Sequence, residues 1–331
     1  MKKIALSTLV ICSALSTVAH AQTSVTVYGQ IDEAIAVGVG SGKGTTTQLV
    51  NGGLRASRIG FMGSEDLGGG LRTIFLLESG FNANNGAQTQ PGLIFGRKAY
   101  VGFSSSTYGT AIAGRMYTLS YSTVDFFDPQ LGIGGGNDNM FTRGGTRWSN
   151  TLRYDSPTFG GFSGAAAYAL PEGVASRKNE ELLTYEHGPL VIKLVRSDQN
   201  GANNTLADHN TFLGASYDFG VIRTVAGYQI NRGPGGDQPD TKYNVALIGA
   251  SVPTGEHSVV GATYIRANDQ TPANNNAQQF AISYQYFLSK RTTLYTSYTH
   301  IHNQNGTLLY VTGDTTPGAP TEYNVGINHT F

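Results

Sequence analysis

Apolar and polar residues alternate with a period of two along almost the whole chain after residue 22. Val25, Val27, Gly29 and Ile31 alternate with Thr26, Tyr28, Gln30 and Asp32. Phe75, Leu77 and Phe81 share one parity and leave Arg72 and Glu78 on the other. Leu213, Ala215, Tyr217 and Phe219 oppose Gly214, Ser216 and Asp218. Phe280, Ile282, Tyr284, Tyr286 and Leu288 oppose Gln279, Ala281, Ser283, Gln285 and Phe287. Such alternation predicts strands with one apolar and one polar face, and it recurs in 16 segments of about 8–15 residues. No segment carries a convincing helical stripe.

The segments are joined by connections that alternate in length. Short ones fall at Glu65–Gly70, Ser105–Gly109, Pro157–Gly161, Glu186–Pro189, Phe219–Gly220, Thr254–Glu256 and Ser289–Arg291. Longer polar ones fall at 38–52, 82–93, 118–146, 170–179, 198–209, 231–241, 267–276 and 302–320. A soluble sandwich does not explain that regularity, nor the aromatics at strand ends. A barrel with tight turns on one side of an outer membrane and long loops on the other explains both. A sheet that spans lipid has to close, because an open edge leaves amides unpaired in hydrocarbon. The expected fold is therefore all-β: a 16-stranded antiparallel transmembrane barrel. One connection stands out. Tyr117 to Arg147 is about 30 residues long, and Tyr117, Tyr121, Phe126 and Phe127 want burial. Asp125 and Asp128 lie beside Pro129. Loops of that length in compact proteins are usually functional or disordered. An aromatic, acidic one suggests a segment folded into a hollow.

Composition narrows the compartment. Lys2 and Lys3, an apolar stretch from Ile4 to Val18, and Ala19-His20-Ala21 read as a secretory leader. This gives a signal peptide at 1–21 and one barrel domain at 22–331. The leader contains Cys12, the one cysteine of the chain, so neither a disulfide nor a cysteine metal site is expected beyond it. It also takes two of the 22 basic residues, leaving 20 against 22 acids, a net charge of −2. That balance does not suit a nucleic-acid partner. No later apolar run is long enough for a transmembrane helix, and the sequence calls for no cofactor. The last strand puts Tyr323, Val325, Ile327, His329 and the terminal Phe331 on one parity.

Together these residues resemble the trimeric general porins of Gram-negative outer membranes. The resemblance is carried by Val25-Thr-Val-Tyr-Gly-Gln-Ile-Asp32, Ser57-Arg-Ile-Gly-Phe-Met-Gly-Ser-Glu-Asp-Leu-Gly68, Leu77-Glu-Ser-Gly-Phe81, Phe95-Gly-Arg-Lys-Ala-Tyr-Val-Gly102, Leu152-Arg-Tyr-Asp-Ser-Pro157 and the Phe331 end. It implies a water-filled pore for small hydrophilic solutes and ions in each subunit of a homotrimer in outer-membrane lipid. It also implies an inward-folded third external loop, here Tyr117–Thr146, and a terminal aromatic read by the barrel-assembly machinery. Small residues in 25–37, 59–63 and 99–114 fit close packing between subunits.

By the same resemblance, basic wall residues face acids across the constriction. The matching arginines are Arg58, Arg97 and Arg153; the matching acids are Glu78, Asp125 and Asp128. Arg72 and Arg147 are further candidate lumen charges. Alternation turns Arg58 inward, opposite Ile59 and Phe61, and Arg153 inward, between Leu152 and Tyr154. Parity does not decide between Arg97 and Lys98. Rings of charge select ions by sign, and three arginines against two or three acids favour anions. A solute-specific anion channel is the alternative within transport. A barrel enzyme with a hydrolytic site at the rim, near Ser297, His300 and His302, is the rival from another class. It lacks an evident positioned base and orienting group, and the two histidines lack the further ligands zinc needs. Gly38-Val-Gly-Ser-Gly-Lys-Gly-Thr45 imitates a phosphate loop but has Val37 at the first glycine position and Gly44 after the lysine. Glu33 shares parity with Ile31 and Ile35. Either it lies at a subunit interface or a bulge shifts the register.

Overall fold

The computed structural model describes residues 24–41, 44–130, 132–133, 141, 145–171, 177–200, 207–233, 241–306, 311–312 and 319–331. The expected leader lies outside the described residues. In chain order the strands are β1 (Ser24–Ser41), β2 (Gly44–Asn51), β3 (Arg58–Gly68), β4 (Leu71–Gly80), β5 (Lys98–Ser105) and β6 (Gly109–Tyr117). A helix, α1 (Leu119–Phe126), separates these from β7 (Arg147–Asp155), β8 (Phe162–Ala169), β9 (Lys178–His187) and β10 (Leu190–Asn200). Then come β11 (Ala207–Asp218), β12 (Arg223–Gly233), β13 (Thr241–Pro253), β14 (Ser258–Asp269), β15 (Ala277–Phe287), β16 (Thr292–Asn303) and β17 (Thr321–Thr330).

From β3 to β17 each strand pairs antiparallel with the next. β1 closes the ring. One edge pairs with β17 from Gln30 to Val39, and the other meets β2 in its later half and β3 in its earlier half. β2 and β3 thus share one position, so the 17 strands make a closed barrel of 16. At the seam, Gly29 and Phe331 exchange backbone hydrogen bonds of 3.1 and 3.0 Å. A Cβ on Gly29 would fall 2.6 Å from the Arg58 carbonyl oxygen and into the Phe331 ring. Only glycine lets the last residue lie over the first strand there.

The two faces follow the sequence parity. On β15, Phe280, Ile282, Tyr284 and Tyr286 are exposed on the outside, while Gln279, Ala281, Ser283 and Gln285 are buried inside. Apolar-out and polar-in is the reverse of a soluble protein and suits a lipid-facing wall. Glu33 does face outward with Ile31 and Ile35. The β1–β17 register runs unbroken past it, so no bulge accounts for it.

The connection 118–146 begins and ends where the alternation places it. The expected long loop at 38–52 is a correction. β1 continues to Ser41 and β2 starts at Gly44. Its glycines and polar residues read as loop, yet Thr46, Thr47 and Val50 are β-branched and keep the ladder going. The same pairing disposes of the phosphate-loop motif, since strand rather than helix follows it.

The inner wall is not polar throughout. Phe212, Val195, Val225, Val245, Leu247 and Ile265 point inward from β10 to β14 and are buried with Leu119, Val124, Phe127 and Phe141. The described residues of this connection, Leu119, Val124, Phe127 and Phe141 among them, thus pack on inward-facing side chains. Phe127 lies against Phe212, with ring centroids 5.7 Å apart. Gln130 donates to Thr263 Oγ1 at 2.6 Å and accepts at its carbonyl from Gln285 Nε2 at 3.3 Å. Inward glycines make room: a Cβ on Gly214 would enter the Phe127 ring, and one on Gly261 would strike the Pro129 carbonyl. Burying a side chain such as Phe127 contributes about 1.5–3 kcal/mol.

Candidate functional site

Opposite that apolar wall, the inner faces of β3 to β7 carry charge. Between them and the packed segment lies a cavity of about 550 Å³. Its cations are Arg55, Arg58, Arg97, Lys98 and Arg147; its acids are Asp125 and Asp128. The remainder of its lining includes Tyr117, Tyr121 and Ser122.

The acidic side is set by α1. Thr118 caps the helix, accepting from the Tyr121 N–H at 3.2 Å, as threonine commonly does at an N-terminus. A second acceptor comes from the wall. Glu180 on β9 is fully buried and accepts from Leu119 N–H at 2.5 Å, Ser120 N–H at 3.2 Å and Ser120 Oγ at 2.5 Å. A carboxylate at a helix start satisfies orphan amides and complements the dipole. The other end of the helix is held by Arg223, whose Nη2 donates to the Phe126 carbonyl at 2.8 Å. Asp125, on the last turn, pairs with Arg55 at 2.8 Å. Asp128 is buried and accepts the Gln130 and Gly132 N–H groups at 2.9 and 3.0 Å. Burial pushes its carboxyl up to about 6 against those two amides; the neighbouring Asp125 adds to the rise and Arg55 opposes it.

The basic side is set by the break between β2 and β3. Asp32 on β1 is fully buried and accepts from Leu54 N–H at 3.3 Å and Arg55 N–H at 3.2 Å, holding residues 52–57 out of the ladder. Tyr295 and Asn328 complete its shell at 2.6 and 2.8 Å. Arg55 is thereby presented to Asp125. Arg58, the first residue of β3, donates to Gln30 Oε1 at 3.0 Å and sits 3.6 Å from Glu78. Glu78 is buried and accepts from Arg97 Nε at 2.9 Å and Tyr28 OH at 2.8 Å. It belongs to the basic wall as a counter-charge, not to the loop.

Arg97 and Lys98 both line the cavity. Lys98 lies on the inward face of β5, whereas Arg97 precedes the strand, so alternation does not govern it. Arg147 opens β7 and donates to Tyr117 OH at 2.7 Å. Arg153 faces inward, as parity requires, but borders an adjoining cavity with Lys98 and Tyr117. Both its Nε and its Nη2 are bound to Asp155, the shortest contact being 2.6 Å. Arg72 is exposed on β4 beside the short turn and does not line the cavity. Two residues escaped the sequence reading. Arg55 sits in a strand break where parity has no meaning, and Glu180 looks like any acid on an alternating strand. On β16, Ser297 faces inward while His300 and His302 face outward.

A closed barrel with an apolar exterior and a charged interior defines a channel of the outer membrane. The chain belongs to the Gram-negative porin family, whose match covers residues 5–306. It is 32% identical to outer membrane porin protein 32 of Delftia acidovorans, over 96% of this chain and 97% of that one. It is 30% identical to an outer membrane porin protein of Bordetella pertussis, over 84% and 88%. Among solved structures it is similar to the anion-selective porin from Comamonas acidovorans, with a TM-score of 0.80, 27% identity, and coverage of 94% and 100%. The protein is therefore a porin of the cell outer membrane, and its barrel passes small hydrophilic solutes and ions.

Proposed function

We propose that the cavity between α1 and β3–β7 is the waist of a passive diffusion channel that prefers anions. One observation carries the reading: five cations line the cavity against two acids. The guanidiniums stay charged at any working pH, and charge lining a pore selects ions by sign. The anion selectivity named for the similar Comamonas acidovorans porin supports the same sign. Residues 118–130 narrow the lumen, and Arg58, Arg97, Lys98, Glu78, Asp125 and Asp128 are its working charges. Arg147 joins them. Arg153 contributes less, because Asp155 neutralises it locally. Arg72 plays no part at the waist.

We read the assembly as a homotrimer in outer-membrane lipid, inserted through recognition of Phe331. Small residues such as Ala111 and Ala113 on the outer face of β6 support close subunit packing. We also read the chain as a channel without catalytic activity. Ser297 and the two histidines lie on opposite faces of β16, so they do not make a nucleophile–base pair. Purified protein in a planar bilayer tests these readings together. Current steps should come in groups of three, and the reversal potential in a salt gradient should carry the sign of anion preference. A cation-selective reversal potential would refute the proposed waist, and strong saturation by one solute would favour a solute-specific channel.

The high Asp128 value adds a pH dependence. Its folded value, about 6, lies above the ordinary 3.8. Ionisation therefore opposes folding of the segment: the cost is absent below about 3.8 and complete above about 6. As pH falls from 7 to 5 the waist loses one negative charge, and anion preference should rise. Asp128→Asn should flatten that response while leaving permeability at pH 5 near the wild-type value. A D128N channel with the wild-type pH response would place the titrating group elsewhere.

A further inference from the structure

The wall charges are not equivalent. Glu78 is one carboxylate among Arg58, Arg97 and Lys98, and Arg55 is matched by Asp125. Tyr117 stands at the centre of what is left over. Its hydroxyl accepts from Arg97 Nη2 at 2.5 Å and from Arg147 Nη2 at 2.7 Å. Its ring lies 4.4 Å from the Arg147 guanidinium and 5.0 Å from the Lys98 ammonium. Tyr121 stacks on it at 5.0 Å with an interplanar angle of 18°. Three cations are thus gathered on a side chain that carries no charge. A carboxylate in the same place would hold them equally well and cancel one of them. The ring face supplies attraction through its quadrupole, and the phenolic oxygen supplies two acceptor directions. Arg147 has no ion pair among the described residues, and its Nε is buried without a hydrogen-bond partner. The Lys98 ammonium makes no hydrogen bond or close ion pair among them, and Glu78 is the carboxylate that acts on it.

We infer that Tyr117 is the positioning residue for anion selection: it clusters Lys98 and Arg147 beside Arg97 without itself neutralising them, and Lys98 and Arg147 form the anion-recruiting step of the waist. The ligand class is a small hydrated oxyanion or halide, held by an ammonium and a guanidinium edge and released onward. This rests on the anion-preferring reading of the channel. The recruiting charge then resides on Arg147 and on Lys98, which shares the single Glu78 carboxylate with Arg58 and with the ion-paired Arg97.

The test is the chloride-to-potassium permeability ratio from reversal potentials in potassium chloride gradients. Wild type, Tyr117→Phe, the double variant K98Q/R147Q and the turn variant Arg291→Gln are compared in planar bilayers. R291Q removes one charge from an exposed turn and reports any effect of overall charge. K98Q/R147Q should lower the ratio about tenfold near 0.1 M salt, since each unit charge within about 5 Å changes local ion concentration several-fold. Y117F keeps the ring but loses the hydroxyl, and should lower the ratio about two- to threefold. Both effects should fade near 1 M salt, where the Debye length is about 3 Å. A merely structural role for Tyr117 would change conductance or heat resistance of the folded barrel and leave the ratio alone. If wild type selects anions and both variants keep its ratio, the inference fails while the waist stands. If wild type does not select anions, the underlying reading fails with it.

Discussion

Glu180→Ala is expected to release the segment packed on the inner wall, raising single-channel conductance and its noise while the barrel stays folded. The carboxylate serves two backbone amides and one hydroxyl of α1, all buried. Each unsatisfied donor costs about 1–3 kcal/mol. A helix of eight residues cannot persist on its own propensity, because isolated helices shorter than about 12–15 residues are marginal in water. The barrel should survive, since its ladders do not run through Glu180's side chain. Glu180→Gln keeps one acceptor oxygen and should fall between the two. Bilayer recordings, together with protease cleavage between residues 118 and 146, read the effect. Unchanged conductance, noise and cleavage in E180A would mean that the packing of Phe127 and Phe141 holds the segment without the carboxylate.

Asp32→Ala should have a larger effect on assembly. Four donors converge on this fully buried carboxylate: Tyr295 OH, Asn328 Nδ2, and the amides of Leu54 and Arg55. Leaving them unsatisfied costs on the order of several kcal/mol, comparable with the whole stability of many folded domains, about 5–15 kcal/mol. The folded, heat-modifiable band on unheated gels should be nearly lost. Asp32→Asn retains one acceptor oxygen and should fold in reduced yield. Its channels should also lean less towards anions, because Arg55 loses its backbone anchor. A D32A protein that folds in wild-type yield would show that residues 52–57 are held in place by their packing, chiefly Leu54 against Ile133 and Tyr295.

These two carboxylates show where local sequence stops being informative. Asp32 and Glu180 each sit on an alternating strand and give no local sign of importance. Asp32 holds residues 52–57, whose break from the ladder emerges only once β1, β2 and β3 are seen to share two adjacent positions. The donors to Glu180 lie about 60 residues away in sequence. Parity succeeded at Arg58, Glu78 and Arg153 because a strand fixes side-chain direction every second residue. It was silent at Arg55 and Arg97, which lie outside strands. It also left the Arg153–Asp155 pair unread, although two opposite charges two residues apart on one strand share a face. The apolar residues Phe212, Val245 and Ile265 point into the lumen against the general rule, and only the segment that covers them explains why.

The barrel, its strand directions, the place of its long connection and the inward parity of most candidate charges were all written in the amino-acid pattern. They follow from a period of two and from the requirement that a sheet in lipid leave no edge unpaired. Which charges meet was settled only by the folded barrel. It brought Arg55, Arg97, Lys98 and Arg147 into one cavity, set Glu78 among them as a counter-charge, and spent Arg153 on Asp155. A charge acts at the pore according to its uncancelled neighbours within a few ångströms, and those neighbours come from strands and loops distant in the chain.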